Sequence, residues 1–160
     1  MRTALRSAAA HGYYVFDALM TAEVGMIDFL AVGPAGACVV VAREDEGEVT
    51  ADVDGTVYLN GRSFEDDPHR QAEDLAGDVR NKLAGTGAHT YHIICFTRAE
   101  LYYIGDEPDV LRGVCPIWDL ALPFASASAE HSTADVADLA DLIREGYGRP
   151  PFVVPEGEEI

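Results

Sequence analysis

The chain has 160 residues, 48% hydrophobic and 24% charged, one domain's worth of sequence and neither a disordered nor a collagen-like composition. Its 28 acidic residues outnumber 11 basic ones for a net charge of −17, and residues 44–84 hold twelve acids against four bases. No Lys/Arg stripe exists to neutralise phosphates, so tight nonspecific nucleic-acid binding is disfavoured, and no run nears the ~20 apolar residues of a membrane helix.

Residues 2–10 are alanine-rich, with a thin apolar stripe of Leu5, Ala8 and Ala9, and read as a short helix. They carry two arginines but no apolar stretch of signal-peptide length, so a soluble cytoplasmic protein is the default expectation. After Gly12, YYVFDALMTA is rich in aromatic and β-branched residues and predicts a strand. Gly25 opens a second strand, MIDFLAVGP, and Pro34, Ala35 and Gly36 make a turn into a third, ACVVVAR. That third run is short and almost wholly apolar, as a central strand covered on both faces should be. The three form an antiparallel meander. A polar turn at Gly47 and a hairpin at Asp54–Gly55 follow.

The period then changes. Asp67 can cap a helix, Pro68 suits its first position, and Ala72, Leu75, Ala76, Val79 and Leu83 recur at helical spacing until Gly85 and Gly87. TYHIICFT is a second buried-strand candidate, LYYIG a weaker one, and Cys115 to Ala125 is ambiguous between strand and helix. Ser132, three residues before Asp135, opens a last helix with Val136, Leu139, Ala140 and Ile143 on its apolar face. The expected fold is α/β: a mixed sheet with an antiparallel meander, flanked by helices. Residues 1–130 form the domain, 131–147 a C-terminal helix packed on it, and 148–160 an acidic, proline-containing tail, extended or mobile.

Asp28 is the informative residue for function. Strict alternation along the second strand puts Met26, Asp28, Leu30 and Val32 on one face and Ile27, Phe29 and Ala31 on the other. A carboxylate among apolar neighbours needs compensation from a metal, a cation or several hydrogen-bond donors. On the next strand Val39, Val41 and Arg43 share a face, so Asp28 and Arg43 are expected on one side of the sheet.

Taken in order, Ile27-Asp28, Gly33-Pro34-Ala35-Gly36, the strand CVVVAR, Gly47 and Asp67-Pro68-His69-Arg70-Gln71-Ala72 resemble the nuclease-related domain family, over roughly residues 12–100. The resemblance implies a restriction-endonuclease-like fold and a metal-dependent phosphodiesterase site. In such a site an Asp and a Glu hold a divalent cation, and a Lys two residues after the Glu positions or activates water. This chain departs from that pattern. The Glu position falls on Val41, the Lys position on Arg43, which stays protonated, and no acidic residue precedes Asp17 to supply a ligand from the first helix. Asp28 and Gln71 remain in place.

The candidate site residues are therefore Asp28, Arg43 and Gln71, with Asp28 the metal ligand only if the site is active. The favoured expectation is a degenerate site in which Arg43 pairs with Asp28 where the cation would sit, on a domain that takes a protein partner or self-associates and needs no cofactor. The competing one is a magnesium- or manganese-dependent nuclease using Asp28 with a relocated carboxylate from Glu44, Asp45, Glu46 or Glu48. The five histidines show no metal-ligand spacing, and His92 reads as a satisfied, partly buried side chain. The three scattered cysteines, Cys38, Cys95 and Cys115, form no Cys-x-x-Cys pair; Cys38 and Cys95 read as core thiols. Trp118, Tyr102, Tyr103 and Phe124 would make either an aromatic platform or core.

Overall fold

Local signals in the sequence set the elements of the fold. The structure, a computed structural model, describes residues 1–104, 113–117, 120, 124 and 129–157. Trp118 lies outside them. Helix α1 (Arg2–Arg6) runs into a 3-10 turn over Ser7–His11, closed by Gly12 in the left-handed region. Strands β1 (Tyr14–Met20), β2 (Met26–Gly33) and β3 (Gly36–Arg43) form the antiparallel meander. Its second turn is sterically fixed: Gly36 has φ 113°, and a Cβ there would run into the carbonyl oxygen of His89, which accepts the Ala37 N–H at 2.9 Å.

Strands β4 (Glu48–Ala51), β5 (Val57–Leu59) and β6 (Arg62–Ser63) follow, then helix α2 (Pro68–Lys82). The helix starts where the sequence says: Asp67 is its cap, accepting the His69 N–H at 3.0 Å, with Pro68 at the first position. Strands β7 (Thr90–Phe96), β8 (Glu100–Tyr103) and β9 (Val114–Pro116) come next. Helix α3 (Thr133–Tyr147) is capped by Ser132 Oγ on the Asp135 N–H and ended by Gly148.

The described residues form two mixed sheets. The first has the order β1-β2-β3-β7-β9, with β7 parallel to β3 and β9 parallel to β7. The second, β6-β5-β4-β8, was not legible in the sequence as a separate sheet. Its β4–β8 pair, at one edge, is parallel and continues the pairing of β3 with β7. Across the seam Arg43 O accepts the Thr97 N–H and Gly47 O accepts the Glu100 N–H, each at 2.9 Å. Arg43, the last residue of β3, thus sits where one sheet gives way to the next.

The first sheet has a core on each face. On one, Phe16, Leu30, Val39, Val41, Ile94 and Phe96 pack with Leu75 and Val79 of α2 and Leu139 and Ile143 of α3. On the other, Val15, Cys38, Val40, Ile93 and Cys95 pack with Leu5, Leu120 and Phe124. Each fully buried large aliphatic side chain contributes about 1.5–3 kcal/mol, so helices on both faces secure the sheet. The architecture is α/β, with mixed sheets flanked by helices.

The tail does not hang free. Phe152 N–H donates to Val15 O at 2.9 Å, Val15 N–H donates to Val153 O at 3.0 Å, and Arg149 reaches Asp17, so residues 149–153 lie along the outer edge of β1. No helix among the described residues is long and apolar enough to cross a membrane.

Candidate functional site

Strict alternation fails at Asp28. Leu30 and Val32 enter the core beneath α2 and α3 as expected, but so does Ile27, which strict alternation puts on the other face. The cause lies across the ladder: Asp17 pairs with Phe29 and Leu19 with Ile27, and Ala18 between them has φ 49°. This left-handed residue, opposite Asp28, turns both strands and resets which side chains face inward. Met26 consequently points to solvent, 46% exposed.

The ladder between β2 and β3 also stops at Phe29–Val40, which leaves the Ala42 N–H without a strand partner. Asp28 takes that role, its Oδ2 accepting the Ala42 N–H at 3.0 Å. Burial pushes the Asp28 carboxyl above its ordinary value of 3.8, and the Ala42 hydrogen bond offsets part of that rise.

The expected Asp28–Arg43 ion pair does not form. Arg43 instead grips Asp45 with a two-pronged contact, Nε to Oδ1 at 2.8 Å and NH2 to Oδ2 at 3.3 Å. Its NH1 reaches Asp66 Oδ2 and Gln71 Oε1, both at 3.4 Å, and its guanidinium lies 5.4 Å from the Phe64 ring centre. The reason is local. Asp45 is two residues away, so pairing with it orders little extra chain, and its carboxylate matches the guanidinium fork. Burial works against the Arg43 charge, but hydrogen bonds and charge from Asp45 and Asp66 more than offset it and hold its pKa above the ordinary value.

The three candidate residues do converge: Asp28, Arg43 and Gln71 line one open depression together with Ala42, Glu44 and Asp45. Gln71 is exposed on the first turn of α2, its amide oxygen on Arg43. Val41 is 1% exposed, in the core beneath. Among the described residues, no three His, Cys, Asp or Glu side chains stand close enough to hold a metal ion. Asp28 shares the depression with Glu44 and Asp45, and Asp45 is held by the guanidinium. The arrangement as built neutralises acids around a fixed arginine.

No family model, curated protein or solved structure matches this chain.

A second polar centre is absent from the sequence reading. His69 Nδ1 lies 2.9 Å from His92 Nε2, and His69 Nε2 lies 2.6 Å from Gly55 O. His69 is on the first turn of α2 and His92 is mid-strand in β7, 23 residues apart. The only sequence signal was His92 within an apolar strand, and it names no partner. The cysteines are buried and form no disulfide among the described residues, with burial driving Cys38 far above the ordinary thiol range.

Proposed function

We propose that this chain is a nuclease-related domain of the restriction-endonuclease-like class whose site no longer hydrolyses, and that it serves as a binding or assembly module for a protein partner or a second copy of itself. One observation carries the reading. On β3 the position that would supply the second metal carboxylate is Val41, sealed in the core, and the position that would supply a titratable amine is Arg43, engaged by Asp45, Asp66 and Gln71. An apolar side chain cannot ligate a cation, and a guanidinium that stays protonated is no base for water. Further support comes from the element order: short helix, antiparallel meander, capped helix, parallel strand. The net charge of −17 adds long-range repulsion toward a polyanionic substrate.

The second reading rests on the depression itself, which brings Glu44 and Asp45 beside Asp28. In it, a carboxylate released from Arg43 joins Asp28 on magnesium or manganese, and Arg43 binds phosphate. One experiment separates the two. The protein is melted with rising magnesium or manganese and incubated with single- and double-stranded DNA and RNA, while light scattering at two salt concentrations reports assembly. The module reading expects no metal-dependent rise in melting temperature and no cleavage. Metal-dependent cleavage that disappears in Asp28→Asn establishes the nuclease reading and overturns ours.

A further inference from the structure

The histidine pair opens on a cavity of about 510 Å³ bounded by the β4–β5 loop, the first turns of α2 and the start of β7. A proton count fixes its chemistry. The Gly55 carbonyl can only accept, so His69 Nε2 carries a hydrogen. In neutral His69 the Nδ1 is then bare, and His92 Nε2 must be the donor across the 2.9 Å gap. Ring centroids 5.2 Å apart at that nitrogen separation put the two nitrogens on the line between the rings. That geometry suits a shared hydrogen, whereas two ligands on one metal ion converge at an angle.

The relay ends on an unmet acceptor. His92 Nδ1 is left with a lone pair, and what it faces is Glu73 Oε2 at 3.7 Å, another acceptor. Glu73 Oε1 is occupied by Arg80 at 3.1 Å. Thr90, on the same face of β7 and 6% exposed, lines the cavity with an Oγ1 that has no partner among the described residues. Asp54 and Asp67 line it too, so the walls offer negative charge and acceptors.

We propose that this cavity binds a primary ammonium group, held between His92 Nδ1 and Glu73 Oε2. A nitrogen about 2.8 Å from each acceptor forms a triangle on their 3.7 Å base, and a third N–H remains for the cavity wall. A guanidinium fork matches two oxygens of one carboxylate better than acceptors on separate side chains. The inference is independent of the Asp28 site and holds whether or not that site hydrolyses. The ammonium comes from a free polyamine or from a lysine side chain of a partner.

A proton on His92 Nδ1 competes for the same place. Among the described residues, the charged and titratable groups facing it are His69, Glu73 and Arg80 on α2, Asp67 at the helix cap and Asp54 from the β4–β5 loop. Gly113, before β9, brings no charge. Burial foremost lowers His92 below its ordinary 6.5, against the opposing pull of Glu73, and so favours the neutral ring that can accept.

The test follows the ring nitrogens of 15N-histidine-labelled protein by NMR at pH 7.5 and physiological salt. The probes are spermidine, a short lysine peptide and choline, which has the charge but no N–H. Spermidine or the peptide shifts the His92 Nδ1 signal, and whichever binds tighter names the source. Choline does not, Glu73→Gln weakens binding about tenfold or more, and affinity falls again at pH 5.5. Shifts equal for choline and spermidine, no shift with either amine, or binding unchanged in Glu73→Gln each overturn the proposal. So does zinc binding tighter than any amine at the same nitrogens.

Discussion

Replacing Asp28 by alanine and by asparagine separates two accounts of the same carboxylate. If Asp28 were the partner of a buried Arg43, removing it would strand a charge and cost about 3–5 kcal/mol. The structure gives a smaller figure. Arg43 keeps Asp45 and Asp66, and the loss is one hydrogen bond to a half-buried Ala42 N–H, about 1 kcal/mol. Part of that is returned, because the carboxylate removed was itself held out of water. Asp28→Asn keeps an acceptor for Ala42 and sheds the charge, so at pH 7 it is at least as stable as the parent. A carboxyl whose folded pKa is raised costs stability above that pKa and ceases to do so as pH falls through it to below its unfolded value. The parent therefore gains on Asp28→Asn as pH drops from 7 toward 3.8. Urea unfolding of the three proteins at pH 7 and pH 4 measures all of this. A loss near 3 kcal/mol for Asp28→Ala, or an Asp28→Asn protein less stable than the parent at pH 7, refutes the reasoning.

Gly36→Ala forces a left-handed backbone onto a residue with a Cβ and drives it against His89 O, and should cost about 1–3 kcal/mol in the same assay. Asp17→Asn removes the shared anion of Arg2 and Arg149. Both arginines are about half exposed, so the loss is only about 1 kcal/mol, but limited proteolysis within residues 149–157 should accelerate markedly. The buried thiols of Cys38, Cys95 and Cys115 should ignore a thiol-specific disulfide reagent in the native protein and react together in urea, as absorbance would show.

Where a local rule decides, the sequence and the structure agree. Asp67-Pro68 opens α2 and Ser132 opens α3 because a cap needs only its own helix. Gly33-Pro34-Ala35-Gly36 turns because its geometry is local. Disagreements arise where the determinant lies elsewhere in the chain. Ile27 changes face because of the backbone of Ala18, an unremarkable residue by type. Arg43 was matched to Asp28 by strand parity, but the ladder ends before parity reaches it, and a nearer acid takes the guanidinium. Asp28, Arg43 and Gln71 still meet, since β3 and the start of α2 converge at the seam of the two sheets. The histidine pair was illegible because nothing in a linear pattern says which turn of a helix lies over which residue of a strand.

The strip of chain along β1 has a consequence for solubility. An uncovered outermost strand offers its free amides and carbonyls to any passing extended polypeptide, and a run as apolar as YVFDALM would recruit copies of itself. Residues 152 and 153 occupy Val15 on both its donor and its acceptor side, and Arg149 anchors the strip at Asp17. The C-terminal strip thus acts as a built-in guard against fibrous stacking, and a shortened protein ending at Gly148 would be prone to aggregate through that bared margin.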